Sequence, residues 1–125
     1  MARPDELHDV TGRCACGQVA FTCRIETETC CCSCDLCKRS SGSAFQSWVN
    51  GDRASLKVTG RVDSWHSSDH ATRHFCPACG STLFLFEQGE PDVVEVSAGT
   101  IDAPDGILGA RHAYAHRRPG WSGQA

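Results

Sequence analysis

A chain of 125 residues is long enough for one domain around one core and too short to expect two. Its formal charge of −3 excludes a strongly basic chain, and a charged fraction of 22% is ordinary for a globular protein and does not force disorder; an anionic surface disfavours phosphate backbones, so no nucleic-acid partner is expected. No window approaches the ~20 apolar residues of a membrane span, and Met1 to Val10 lacks the apolar centre of a signal peptide, so a cytoplasmic location without a membrane partner is expected.

Residues 1–11 read as a flexible N-terminus, 12–121 as a single domain and 122–125 as a tail, with the Gly- and Pro-containing stretch from 117 onward loosely held. The first cysteine group, Cys14-Ala15-Cys16, is followed by Gly17. Val19, Phe21 and Cys23 then alternate with Ala20, Thr22 and Arg24, the period of a half-buried strand. A second group, Cys32-Ser33-Cys34-Asp35-Leu36-Cys37, leads into the one expected helix, Asp35 to Ser41, closed by Gly42. Phe45 to Val49 reads as a strand ending at the turn signal Asn50-Gly51, and Leu56 to Val58 as another ending at Thr59-Gly60. The third group, Cys76-Pro77-Ala78-Cys79, is followed by Gly80. Thr82 to Phe86 is apolar on both faces and reads as a central strand, and Val94-Glu95-Val96 alternates again. The expected fold class is therefore mainly β, with antiparallel sheets around a small zinc-stapled core and one short helix.

Cysteines spaced by one or two residues in a reducing compartment suit metal chelation better than a disulfide framework. The three groups supply seven thiolates, which cannot fill two four-coordinate zinc sites. Cys14, Cys16, Cys76 and Cys79 form the expected closed, structural site, because Gly17 and Gly80 suit tight turns that reverse with φ > 0. Cys32, Cys34 and Cys37 are then left as an open zinc site, where an incoming thiol becomes the fourth ligand and is deprotonated. Filling both sites moves the net charge from −3 to about −6.

Lys38 and Arg39 follow the open group. They are placed to hold the carboxylates of a small acidic thiol such as glutathione, or else they occupy the solvated face of a short helix. On an extended strand Cys30 points to the same side as Cys32 and Cys34, which places it to close the second site; alternatively Cys30, Cys31 and Cys23 are small apolar strand residues. Phe45 and Trp48 either line a pocket beside the open site or pack as strand core, and Trp121 is placed over an edge. No chemical role is assigned to His66, His70, His74, His112 or His116.

Gly12-Arg13-Cys14-Ala15-Cys16-Gly17-Gln18-Val19-Ala20-Phe21, Cys32 to Gly42, and Phe75-Cys76-Pro77-Ala78-Cys79-Gly80-Ser81-Thr82-Leu83 together resemble the glutathione-dependent formaldehyde-activating enzyme family. Ser97 to Asp102 and His112 to Trp121 are similar to its C-terminal pattern. The resemblance implies a β-tent domain with a four-cysteine structural zinc from the first and third motifs and a three-cysteine zinc where glutathione reacts. The implied activity is that of a carbon–sulfur lyase type, S-(hydroxymethyl)glutathione synthase-like enzyme, with glutathione and formaldehyde as small-molecule partners. A zinc-stapled thiol carrier or interaction module without turnover is the alternative. Redox cycling of adjacent cysteines, as in the fold-related methionine sulfoxide reductases, ranks third, since zinc would occupy the obvious nucleophiles.

Overall fold

A computed structural model describes residues 6–102 and 110–123. Among the described residues the strands are, in chain order, β1 (His8–Arg13), β2 (Ala20–Cys32), β3 (Gln46–Asp52), β4 (Lys57–Thr59), β5 (Asp63–Ser68), β6 (Ala71–Phe75), β7 (Thr82–Glu87), β8 (Val93–Ser97) and β9 (Ala110–Ala113), with one α-helix, α1 (Asp35–Ser41). The main path of the sheet runs β1-β2-β3-β8-β7-β6-β5, and β4 and β9 both pair with β2. All pairings are antiparallel except β2–β9, so the mainly β expectation holds.

β2 is the spine because its apolar residues recur every second position. Phe21, Cys23 and Ile25 all turn inward and are buried with Val49, Phe84, Val94 and Val96. Phe21 meets Phe84 edge to face at 5.1 Å, and each such ring contributes about 1.5–3 kcal/mol by leaving water. Between Ile25 and Thr29 the β2–β3 register shifts, and the strand then continues through Cys30-Cys31-Cys32. In β7 both Leu83 and Phe84 reach this core, because the pairs His74–Phe84 and Phe75–Thr82 leave Leu83 as an extra, bulged residue. Leu85 faces the opposite side, where it clusters with Trp48 and Ala71. β7 thus lies inside the sheet and is apolar on both faces, as its sequence predicts.

Helix α1 has the predicted limits. Gly42 adopts φ 67° and its N–H donates to the Lys38 carbonyl, while the Cys34 sulfur caps the other end by accepting from the Cys37 N–H. Two expectations are corrected. His8 to Thr11, taken as part of a flexible N-terminus, pairs in β1 with β2 from Thr22 to Ile25. Asn50-Gly51 is not a turn but lies within β3, where Gly51 faces Val94. A Cβ at Gly51 would stand 2.8 Å from the Cys23 sulfur and 3.3 Å from Val94 Cγ1, so the glycine serves close packing. Among the described residues no helix is long and apolar enough to cross a membrane.

Candidate metal centres and the adjoining cleft

Cys14 and Cys16 lie in the turn between β1 and β2, and Cys76 and Cys79 in the turn between β6 and β7. Both turns need a left-handed residue, supplied by Gly17 at φ 81° and Gly80 at φ 80°. Their first cysteines bond alike: the Cys14 N–H donates to Val19 O at 3.0 Å and the Cys76 N–H to Ser81 O at 3.0 Å. A bond of 3.0 Å from Ala15 N to Ser81 Oγ ties one turn to the other. All four sulfurs fall within 4.8 Å of one another. Cys14 to Cys16 is 3.6 Å and Cys16 to Cys76 is 3.8 Å, close to the ~3.8 Å edge of a tetrahedron built on a zinc–sulfur bond of ~2.3 Å.

The electrostatics fit a cation as well. The Ser81 hydroxyl, 3.2 Å away, and backbone N–H groups pull the Cys79 thiol down to about 5. At Cys14 burial raises the pKa but is outweighed by the Val19 N–H and the Cys16 and Cys76 thiols, which lower it. At Cys16 the Gln18 N–H is outweighed by burial and neighbouring sulfurs, and the thiol is pushed up to about 11. Four crowded thiols therefore do not ionise together by themselves, whereas a divalent ion between them removes the conflict.

The middle cysteines come from the junction of strand and helix. Cys32 ends β2, Cys34 caps α1 and Cys37 is buried in its first turn. Their sulfurs lie within 4.8 Å of one another, and among the described residues no fourth Cys, His, Asp or Glu joins the group. Cys30 is not a member. Burial and the sulfur neighbours push Cys32 up to about 12, although the Cys34 N–H opposes this. At Cys34 burial is outweighed by the Cys37 N–H and the Cys32 thiol, so its pKa is lowered. This donor set also suits a thiophilic divalent metal.

A cation unforeseen from the sequence adjoins this group. Arg73 of β6 is 3% exposed; its Nη2 donates to Cys37 Sγ at 3.3 Å and its Nη1 to Ser40 Oγ at 2.8 Å. The guanidinium carbon also stands 5.4 Å from the centre of the Trp48 ring.

The three cysteines open onto a cleft of about 330 Å³ whose lining includes Cys30, Trp48, His70, Arg73, Glu95 and Tyr114. Cross-strand register assembles it, with Cys30 opposite Trp48, Leu85 opposite Arg73, and Glu95 opposite both Asn50 and Leu85. Burial, reinforced by Glu87, pushes the Glu95 carboxyl up to about 7 against the pull of Arg73 and Arg111.

The other candidates are dispersed. Lys38 Nζ donates to Arg117 O at 2.8 Å and lies 3.5 Å from Asp35 Oδ1, Arg39 is exposed, and neither lines the cleft. Cys23 and Cys31 are buried strand residues, whereas Trp48 is both buried and part of the cleft lining. Phe45 sits beside His112 at 6.2 Å, away from that lining. His74 packs edge-on against Phe86, His66 contacts Thr72, and Trp121 is exposed. Arg73 and Glu95 are charged residues of the cleft that motif reading did not single out. Arg73 has no spacing signature, whereas the Val94-Glu95-Val96 alternation already placed Glu95 on the face opposite the valines.

Comparison with known proteins places these motifs in context. A family model described as glutathione-dependent formaldehyde-activating enzyme matches residues 9–117. An uncharacterized lyase of Schizosaccharomyces pombe is 31% identical over 80 residues, 63% of this chain and 58% of that protein. A Halomonas elongata protein, named as a candidate glutathione-dependent formaldehyde-activating enzyme, is 27% identical over 105 residues, covering 72% and 63% of the two chains. The chain thus spans about three-fifths of the length of these relatives. A solved Rhodobacter sphaeroides protein shares the fold, with a TM-score of 0.65 at 18% identity over 81% of this chain and 99% of that one.

Proposed function

This chain belongs to the glutathione-dependent formaldehyde-activating enzyme family, and from that premise we propose that it condenses glutathione, or a related small thiol, with formaldehyde to S-hydroxymethylglutathione. The observation that carries the reading is the three-cysteine group, which meets a cleft and lacks a fourth donor among the described residues. Cys14, Cys16, Cys76 and Cys79 hold a structural zinc in this reading, and Cys32, Cys34 and Cys37 a second one. When bound by these three, zinc supplies a Lewis-acid position that keeps an incoming thiol as thiolate near neutral pH.

The chain's own residues orient the substrates and manage the proton. Trp48 and Leu85 form an apolar floor beside the thiol. Glu95, with its carboxyl near neutral, accepts the thiol proton directly or through one water. As the sulfur attacks the aldehyde carbon, a C–S bond forms, the C=O π pair moves to oxygen, and Glu95 returns the proton there. Of the two bases on α1, Arg39 is the one free of a described partner and is assigned to a substrate carboxylate. A reducing, cytoplasmic setting belongs to the same proposal, because it keeps the ligand thiols unoxidised.

Exchange NMR of glutathione and formaldehyde with their adduct tests the reading. Protein carrying two zinc equivalents should speed the interconversion, and a folded Cys34→Ser variant should not. Absence of acceleration by the fully loaded protein would refute the proposed reaction.

A further inference from the structure

The two cysteine groups differ in what neutralises them. Around the four-cysteine group, the bonds to sulfur from outside it come from neutral donors, the Val19 N–H and the Ser81 hydroxyl, among the described residues. Beside the three-cysteine group a guanidinium donates directly to Cys37 Sγ. Arg73 is almost fully buried and, among the described residues, has no carboxylate within ion-pair distance, so the sulfur cluster is its nearest anionic partner. Holding an unpaired guanidinium in such a place is costly, which makes the pairing with sulfur a specific feature of the site. Its fork is fixed by the Ser40 hydroxyl on one nitrogen and the Trp48 ring nearby.

Three thiolates and a divalent ion carry a net charge of −1, and a fourth thiolate makes it −2 in a half-buried cleft. Counting the ion, its thiolates and Arg73 alone, with the Glu95 carboxyl of the same cleft apart, the group sums to zero when open and to −1 when thiolate-bound. We infer that Arg73 is the built-in counter-ion of the three-cysteine site and determines its choice of an anionic sulfur ligand over a neutral nitrogen ligand. This rests on the proposed reading of that site as an open metal centre. Arg73 acts here as a positioning and specificity residue, through charge and through its hold on Cys37.

The test uses the full chain loaded with cobalt(II) at both sites, titrated separately with glutathione and with imidazole, following the visible absorption of the metal. The readout is the ratio of the two affinities, since general damage to the site weakens both ligands alike. Arg73→Met should reduce the preference for glutathione over imidazole at least tenfold while two metal equivalents are retained. Arg73→Lys, which keeps the charge but cannot reach both Ser40 and Cys37 as a fork, should fall between, about threefold below the wild type. An unchanged ratio in either folded variant overturns the inference, and if the methionine variant does not fold the lysine variant decides alone. Failure of the doubly loaded wild type to take up glutathione at all would instead sink the open-site reading, and the inference with it.

Discussion

Cys14 and Cys76 occupy matching places in two turns, each donating its N–H to the carbonyl five residues ahead, Val19 O and Ser81 O, both at 3.0 Å. Each is also buried at the edge of the main core. The four-sulfur group therefore brings the β1–β2 turn against the β6–β7 turn beside the hydrophobic core.

Removal of metal should unfold the domain. Binding energies of ~10–16 kcal/mol for structural zinc match or exceed the ~5–15 kcal/mol by which such domains are stable. Treatment with a strong chelator, or Cys76→Ser, is expected to abolish the cooperative melting transition and the strand signal in far-UV circular dichroism. An unchanged melting temperature in metal-free protein would contradict this.

The middle group should behave differently. Cys34→Ser is expected to lower the zinc content measured by mass spectrometry from two equivalents to one, with the melting transition kept, because Cys34 stands outside both core clusters. Cys30→Ser should retain both equivalents, since Cys30 is not within reach of all three sulfurs. Loss of the second zinc in that variant would make Cys30 a ligand.

Gly51→Ala probes the packing between β2, β3 and β8. The added methyl would meet Cys23 Sγ at 2.8 Å and Val94 Cγ1 at 3.3 Å, an overpacking cost of about 1–3 kcal/mol. Urea unfolding should show the midpoint lowered with an unchanged slope. A neutral effect would mean that β3 shifts freely.

Glu95 makes stability fall as pH rises. Its folded pKa, about 7, lies above the unfolded value of 4.5, so its favourable contribution is complete below 4.5 and is lost through pH 7, where the carboxyl must ionise while buried. The charged and titratable groups that set this are Glu87, Glu90, Arg73 and Arg111, with the Cys30 thiol within electrostatic range. Glu95→Gln should gain on the wild type across that window, by on the order of 3 kcal/mol at pH 8. Denaturation at pH 4 and pH 8 decides, and a variant offset equal at both values would remove the titration from Glu95.

Cysteine spacing made both candidate metal groups legible, because ligands close in sequence must be close in space. Gly42 and the alternation of Val19, Phe21 and Cys23 likewise marked elements whose cause is local. Strands β5 and β6 were not legible. Asp63–Ser68 is polar nearly throughout, and Ala71–Phe75 has little apolar contrast, so β6 is extended because β7 offers it a paired edge and β5 because β6 does so in turn. Asn50-Gly51 misled for the same reason, since what requires the glycine is Cys23 and Val94 on neighbouring strands. The pairing of Arg73 with Cys37 depends on strand order, and nothing in the sequence between these positions, 36 apart, announces it.

β9 lies beside the last residues of β2, and the segment after it reaches α1: Ser33 N donates to Ala113 O, and Lys38 Nζ to Arg117 O. In a chain emerging from the ribosome, all four cysteines of the first group have been made once Cys79 is translated, and the strands that dock their turns, β7 and β8, end at Ser97, whereas the strap over the second group begins only at Ala110. The donors for a bracing ion are thus all in place before the strap that closes over the second group has been made.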